Sequence, residues 1–299
     1  MRYILLWACV LVASCGNDED TSTTTSTDVA SSSTGTGGDP NCGGHTACVA
    51  PEPVQPSDMA QVETITATVV DQEGAPAANV SAAICGINVC GDVADSNDAG
   101  GLSVNGIGLD FIAPRFSTGY NGKGYAKLTA PIPMTNFGII RVVGMPPLAM
   151  GVDLAAGSPA AQSGVTLGVP ADAQIEFDCL TFAPEERKFV AAVVDIASWT
   201  LPDDAPAIDP LLNLDMLIAL GPLDTHICPS ASLTFPKHAT WSTGATIDIY
   251  IHGTKTYDNY APYGGWAKVA EAVVNADGSV TTREGQGIEL LGTYGAALQ

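Results

Sequence analysis

Basic residues are scarce: the chain has 11 Lys and Arg in 299 positions, and none of them forms a run. A phosphate backbone is gripped by clustered cations, so there is no electrostatic footprint for nucleic acid. Charged residues of both signs reach only 14% and aromatics 6%, which argues against long, salt-bridged helices. No apolar run approaches the ~20 residues that a membrane-spanning helix needs. The histidines are His45, His226, His238 and His252, and they form no His-Glu-x-x-His zinc motif. A Gly-x-Ser-x-Gly nucleophile elbow and a glycine-rich phosphate loop are also missing. No catalytic residue, metal site or cofactor is therefore expected.

What is abundant is acid, glycine and proline. Asp and Glu number 32, giving a formal charge of −21, beside 32 Gly and 20 Pro in a chain that is 46% hydrophobic. Many short strands joined by turns suit that composition, and the charge suits a solvated surface that keeps an exported protein soluble.

The N-terminus reads as an export signal. Arg2 precedes a short apolar core, Tyr3 to Val12, which ends in Val12-Ala13-Ser14-Cys15. This ending resembles the bacterial lipobox, in which small residues precede a cysteine that becomes the new N-terminus. The resemblance implies a signal peptide over 1–14 and a diacylglyceryl thioether, with palmitate-type chains, on Cys15. Two or three chains anchor stably where one does not. Gly16 stands where Asp would retain the protein, which implies the outer membrane of the cell envelope. Residues 21–38 follow, 12 of 18 being Ser or Thr. They lack any apolar period to repay their ordering entropy, so 15–60 is expected to be a disordered, lipid-anchored stalk.

Six cysteines remain after Cys9 and Cys15: Cys42, Cys48, Cys85, Cys90, Cys179 and Cys228. An even number in an exported chain reads as disulfides, and sequence proximity favours Cys42–Cys48, Cys85–Cys90 and Cys179–Cys228. Cys42, His45 and Cys48 also raise a metal clip, but three soft ligands at this spacing are not a zinc knuckle.

Residues 61–147 begin with the alternating strand Glu63–Val70, the turn Asp71–Pro76 and a second strand, Val80–Cys85. The order Ile65-x-Ala67-x-Val69-x-Asp71-x-x-Gly74-x-Pro76-x-x-x-Val80, then Asn97-Asp98-Ala99-Gly100-Gly101-Leu102, resembles the carboxypeptidase regulatory-like domain. That implies a transthyretin-like β-sandwich without peptidase activity. Ala67 replaces the usual Gly and Leu102 the usual aromatic. Asp92, Asp95, Asn97 and Asp98 suggest calcium, and Gly100 fits an EF-hand's sixth position. Gly106 stands where the bidentate Glu is needed, so a hairpin turn is expected there.

Residues 148–299 hold the strand-to-turn element Ser163–Ala173, the segment Met216–Asp224, and Cys228–Pro236. These resemble the β-sandwich domain shared by ankyrins and netrin receptors. Leu211–Leu220 also fits a short helix. Thr246–Ile251 alternates cleanly, and Trp266–Thr282 reads as a hairpin turning at Asp277-Gly278. Asp224, His226 and Cys228 fall on one strand face, yet an oxidised Cys228 is no nucleophile. Tyr257, Tyr260, Tyr263 and Trp266 lie within ten residues of one loop. Such rings suit stacking on sugar faces or proline-rich peptides, which makes them the ligand-binding candidates.

The expected architecture is all-β, with two β-sandwich domains at 61–147 and 148–299 after the stalk. The expected role is a surface-tethered, non-catalytic binding or envelope-structural module. Its partners would be the membrane, through the lipid anchor, and an extracellular glycan or protein. A surface hydrolase without a recognisable motif is the alternative.

Overall fold

The computed structural model describes residue 48 and residues 53–106, 108–132, 135–255 and 260–299. Cys15, Cys42 and Tyr257, with the signal and most of the stalk, lie outside the described residues. Among the described residues the chain is all-β, its only helical turns being three short 3-10 segments.

The first body is a sandwich. A short ribbon pairs β1 (Met59–Gln61) with β6 (Asp110–Ile112). One sheet then sets β2 (Thr64–Val70) between β5 (Gly101–Asn105) and β9 (Asn136–Arg141), with β9 parallel to β2. The other orders β4 (Cys90–Asp95), β3 (Ser81–Cys85), β7 (Arg115–Thr118) and β8 (Leu128–Pro131). Alternation in β2 sends Ile65, Ala67 and Val69 inward and leaves Thr64, Thr66 and Thr68 outside, the period-two pattern of a half-buried strand. The two inner faces meet over Ile65, Val80, Ile84, Val104 and Phe116, and Phe116 stacks on Phe137 with centroids 5.1 Å apart.

The Asp95–Gly101 turn is built for packing. Asn97 Oδ1 accepts the N–H groups of Ala99 (3.0 Å) and Gly101 (2.9 Å). Gly100 has φ +76°, and a Cβ there would strike Val69 O. The Asn and Gly of the suspected ion loop are thus consumed by the turn and its contact with β2.

The second body is one antiparallel sheet running β10 (Val152–Asp153), β14 (Lys188–Asp195), β15 (Met216–Gly221), β21 (Thr293–Leu298), β17 (Thr246–His252), β18 (Trp266–Val274), β19 (Ser279–Thr282), β16 (His226–Pro236), β12 (Val165–Gly168) and β11 (Pro159–Gln162). β13 (Gln174–Glu176) and β20 (Ile288–Leu290) add to the first part of β16. The pairing of β16 with β20 shifts register between His226 and Ala231, and such irregularities increase bend and twist. The sheet rolls until β11 lies near β10 and β14, enclosing Leu167, Phe189, Ile218, Leu233, Phe235, Trp241 and Tyr294.

The stretch that fitted a helix is a 3-10 turn, Pro210–Leu212, followed by β15, whose six residues are all buried. A strand covered on both faces loses its period-two signature. A further apolar cluster joins the bodies, with Ala126 and Val143 from the first against Ile196, Trp199, Ile208, Leu217 and Ala297 from the second.

Candidate functional site

The cysteines settle differently from their order in the chain. Cys85–Cys90 forms across the β3–β4 hairpin as expected. Cys48 bonds to Cys228, 180 residues away, with Cα atoms 5.7 Å apart. This corrects both Cys42–Cys48 and Cys179–Cys228: Cys179 is disulfide-bonded as well, but Cys228 is already taken. Proximity in sequence fails because the rolled sheet, and not the local chain, brings residue 48 against the start of β16.

Asp224, His226 and Cys228 have structural surroundings. Asp224 is buried and pairs with Lys255 at 2.8 Å. Burial pushes the His226 imidazole below its ordinary value, and Cys228 has no free thiol. Among the described residues, no group of three or more His, Cys, Asp or Glu could hold a metal ion.

The described aromatics of the Tyr260–Trp266 segment turn toward three different neighbourhoods. Tyr260 is half-buried, packs on the second core and donates its hydroxyl to Glu289 Oε2 at 3.3 Å. Tyr263 is only 3% exposed; its hydroxyl donates to Cys85 O at 3.4 Å, its carbonyl accepts from Arg115 Nε at 3.3 Å, and burial pushes the phenol up to about 12. Trp266 donates Nε1–H to Ala207 O at 2.9 Å and lies against the His252 ring. A ring with one polar atom is well suited to a buried place where that atom finds a partner. Tyr263 offers no face for stacking, and Tyr260 and Trp266 do not share one.

An open recess lies elsewhere. A groove of about 620 Å³ runs beside Ala191–Asp195 of β14. Gln72, Glu73 and Gly144 to Pro146 of the first body wall it, with Ser163 from the β11–β12 turn. Its charged lining residues are Glu73 and Asp195, and no Lys or Arg lines it. Asp195 keeps 55% of its side chain exposed although Oδ2 lies 3.0 Å from His238 Nε2. A smaller recess, about 150 Å³, sits over Cys85–Cys90 and is lined by Tyr120, Lys127 and Lys255.

None of the groove residues stands out in the sequence. The run Val190-Ala-Ala-Val-Val194 has the composition of a strand, but nothing in it marks a strand that borders a groove. The chain matches no protein-family model, and no curated protein matches it.

Proposed function

We propose that this chain is a surface-tethered lipoprotein of the bacterial cell envelope, anchored through Cys15, whose β-rich body is a non-catalytic module that binds a protein ligand. The observation that carries the binding reading is the groove beside β14. It is a wide recess with apolar strand residues along one side and walls from both bodies, without a nucleophile–base pair or metal-ligand set among its lining residues. Ligand sites favour such junctions between β bodies. The proposed carboxypeptidase regulatory-like character of the first body is supported by its seven strands in two facing sheets and by the Asp71–Pro76 and Asn97–Gly101 turns. The second body's proposed likeness to the domain of ankyrins and netrin receptors rests on its sequence segments alone.

Two measurements on the full-length protein test this. Metabolic labelling with palmitate should mark the wild type and not Cys15→Ser, and equal labelling would remove the anchor. Saturable binding of an envelope or extracellular protein, with no turnover of an esterase, glycosidase and peptidase substrate panel, is the expected activity profile. Turnover without saturable binding would overturn the module in favour of a hydrolase.

A further inference from the structure

We infer that Cys85–Cys90 is a reactive disulfide that exchanges with a small thiol, through attack on Cys90 Sγ with Cys85 as the leaving group. This goes beyond the binding reading above and does not depend on the groove or on a protein ligand.

The first ground is unequal access. Cys85 lies on an inner strand of its sheet and is 3% exposed, whereas Cys90 begins the edge strand β4 and is exposed. Both line the recess of about 150 Å³, which has room for a thiol of a few heavy atoms. Exchange requires the incoming thiolate to reach one sulfur of the bond, and the rate depends on which sulfur is open to it. Access therefore selects Cys90 as the sulfur attacked and Cys85 as the sulfur released.

The second ground is what surrounds the released sulfur. The Tyr120 hydroxyl donates toward Cys90 Sγ at 3.7 Å and lies 3.8 Å from Cys85 Sγ. A small rotation of that hydroxyl gives a Cys85 thiolate its donor. Lys127 is 7% exposed, holds its ammonium over the Tyr120 ring at 4.8 Å from the centroid, and lines the same recess. Lys255 lines it too, while pairing with Asp224. Among the described residues the lining contains no Asp or Glu, although acids outnumber bases 32 to 11 in the chain. Adjacent cations favour the thiolate, and a thiolate of lower pKa leaves faster.

The third ground is that the hairpin holds without the bond. β3 keeps β4 through Ser81↔Asp95, Ala82↔Ala94 and Ala83↔Val93, and it is paired with β7 on its other side. Asn88 fastens the loop to β6, its amide donating to Asp110 O and its Oδ1 accepting the Ile112 N–H, both at 2.9 Å. A five-residue separation makes the chain-entropy gain small, so the bond can open and close in the folded protein. In the first step a thiolate R–S⁻ bonds to Cys90 Sγ as the Cys85–Cys90 bond breaks, and the electron pair leaves on Cys85 Sγ. A second R–S⁻ then attacks the R sulfur, releasing R–S–S–R and the Cys90 thiolate. Two thiols are oxidised to one disulfide, and the cysteine pair takes up their two electrons and, through solvent, two protons.

The test treats the full-length protein with mercaptoethanol under native conditions, followed by acid quenching, alkylation and peptide mapping. Cys85–Cys90 should open roughly tenfold faster than Cys48–Cys228, whose residues are half-buried, and at a rate proportional to thiol concentration. The mixed disulfide should map to Cys90, with the alkyl group on Cys85. Tyr120→Phe removes only the hydroxyl, so it should keep its melting profile and open about fivefold more slowly. An adduct shared equally by Cys85 and Cys90 overturns the inference. So does opening no faster than that of Cys48–Cys228, or an unchanged rate in a folded Tyr120→Phe protein. A rate independent of thiol concentration would mean that the chain unfolds before it reacts, and it too overturns the inference. If Tyr120→Phe fails to fold, the position of the wild-type adduct decides. All of these outcomes leave the binding module untouched.

Discussion

His252 and Trp266 lie ring against ring, with centroids 4.5 Å apart and planes inclined by 33°, and between them they tie β8 of the first body to the second. His252 Nε2 accepts the Thr129 N–H at 2.9 Å, and Nδ1 donates to Gly265 O at 2.9 Å. Because a main-chain N–H can only donate, the neutral Nδ1–H tautomer is fixed by its partners. Burial, with the positive charge of Lys127 adding to it, pushes the His252 pKa from its ordinary 6.5 to about 4.

That depression makes stability depend on pH in a set direction. Between about pH 6.5 and 4 the unfolded imidazole binds a proton that the folded one refuses, so stability falls as pH falls through this window. The loss levels off below about 4, where both states are protonated, and is on the order of 3 kcal/mol at most. Denaturant titrations of wild type and His252→Ala at pH 7 and pH 4 measure it. The variant should be less stable at pH 7 and lose less on acidification. An equal acid-induced loss in both would place the effect elsewhere.

Trp266 is expected to hold the joint by area more than by its hydrogen bond. Trp266→Phe removes the bond to Ala207 O and should cost about 1 kcal/mol, whereas Trp266→Ala opens space beside both the first core and the inter-body cluster. The larger truncation should cost roughly 2–4 kcal/mol, allowing for a ring that is only half-buried. Chemical denaturation of the two variants, ranked against wild type, gives the answer. Equal losses would mean that the hydrogen bond dominates.

The two described disulfides should differ in weight. By chain entropy, closing the 180-residue separation of Cys48–Cys228 stabilises by about 5 kcal/mol as an upper value, and the five-residue separation of Cys85–Cys90 by about 2. Paired Cys→Ser variants should therefore lose stability in that order. A non-reduced digest should yield a peptide joining Cys48 to Cys228. A peptide joining Cys179 to Cys228 would contradict the arrangement.

Gly100→Ala should destabilise the first sandwich by roughly 2–4 kcal/mol, the sum of a left-handed backbone and a Cβ driven against Val69 O. Gly278→Ala is the control. It too has positive φ, +85°, but its Cβ would meet nothing within 4 Å, so about 1 kcal/mol is expected. Thermal melts of the two variants separate backbone strain from steric clash, and equal losses would show that the contact with β2 costs nothing.

The all-β class and most strand positions are written in the sequence, because alternation has a period that local residues reveal. Thr64–Val70, Thr246–His252 and the Asp277-Gly278 hairpin are legible in this way. So is the Cys85–Cys90 bond, whose partners face each other across one turn. Met216–Gly221 escapes, since a strand buried on both faces leaves an apolar run that a short helix shares. Cys48–Cys228 escapes because the partners meet only after the second sheet has rolled. The fate of the aromatic segment was also decided in three dimensions: clustering in sequence says nothing about which side of a loop faces inward, and the bodies claim Tyr263 and Trp266 for their own packing. The groove is the fullest case. Ala191–Asp195 reads as an ordinary strand, and what puts a groove beside it is that β10 pairs with only two residues of β14 while segments of both bodies wall the rest. Whether a strand finds a second neighbour depends on where distant segments end, which no local pattern encodes.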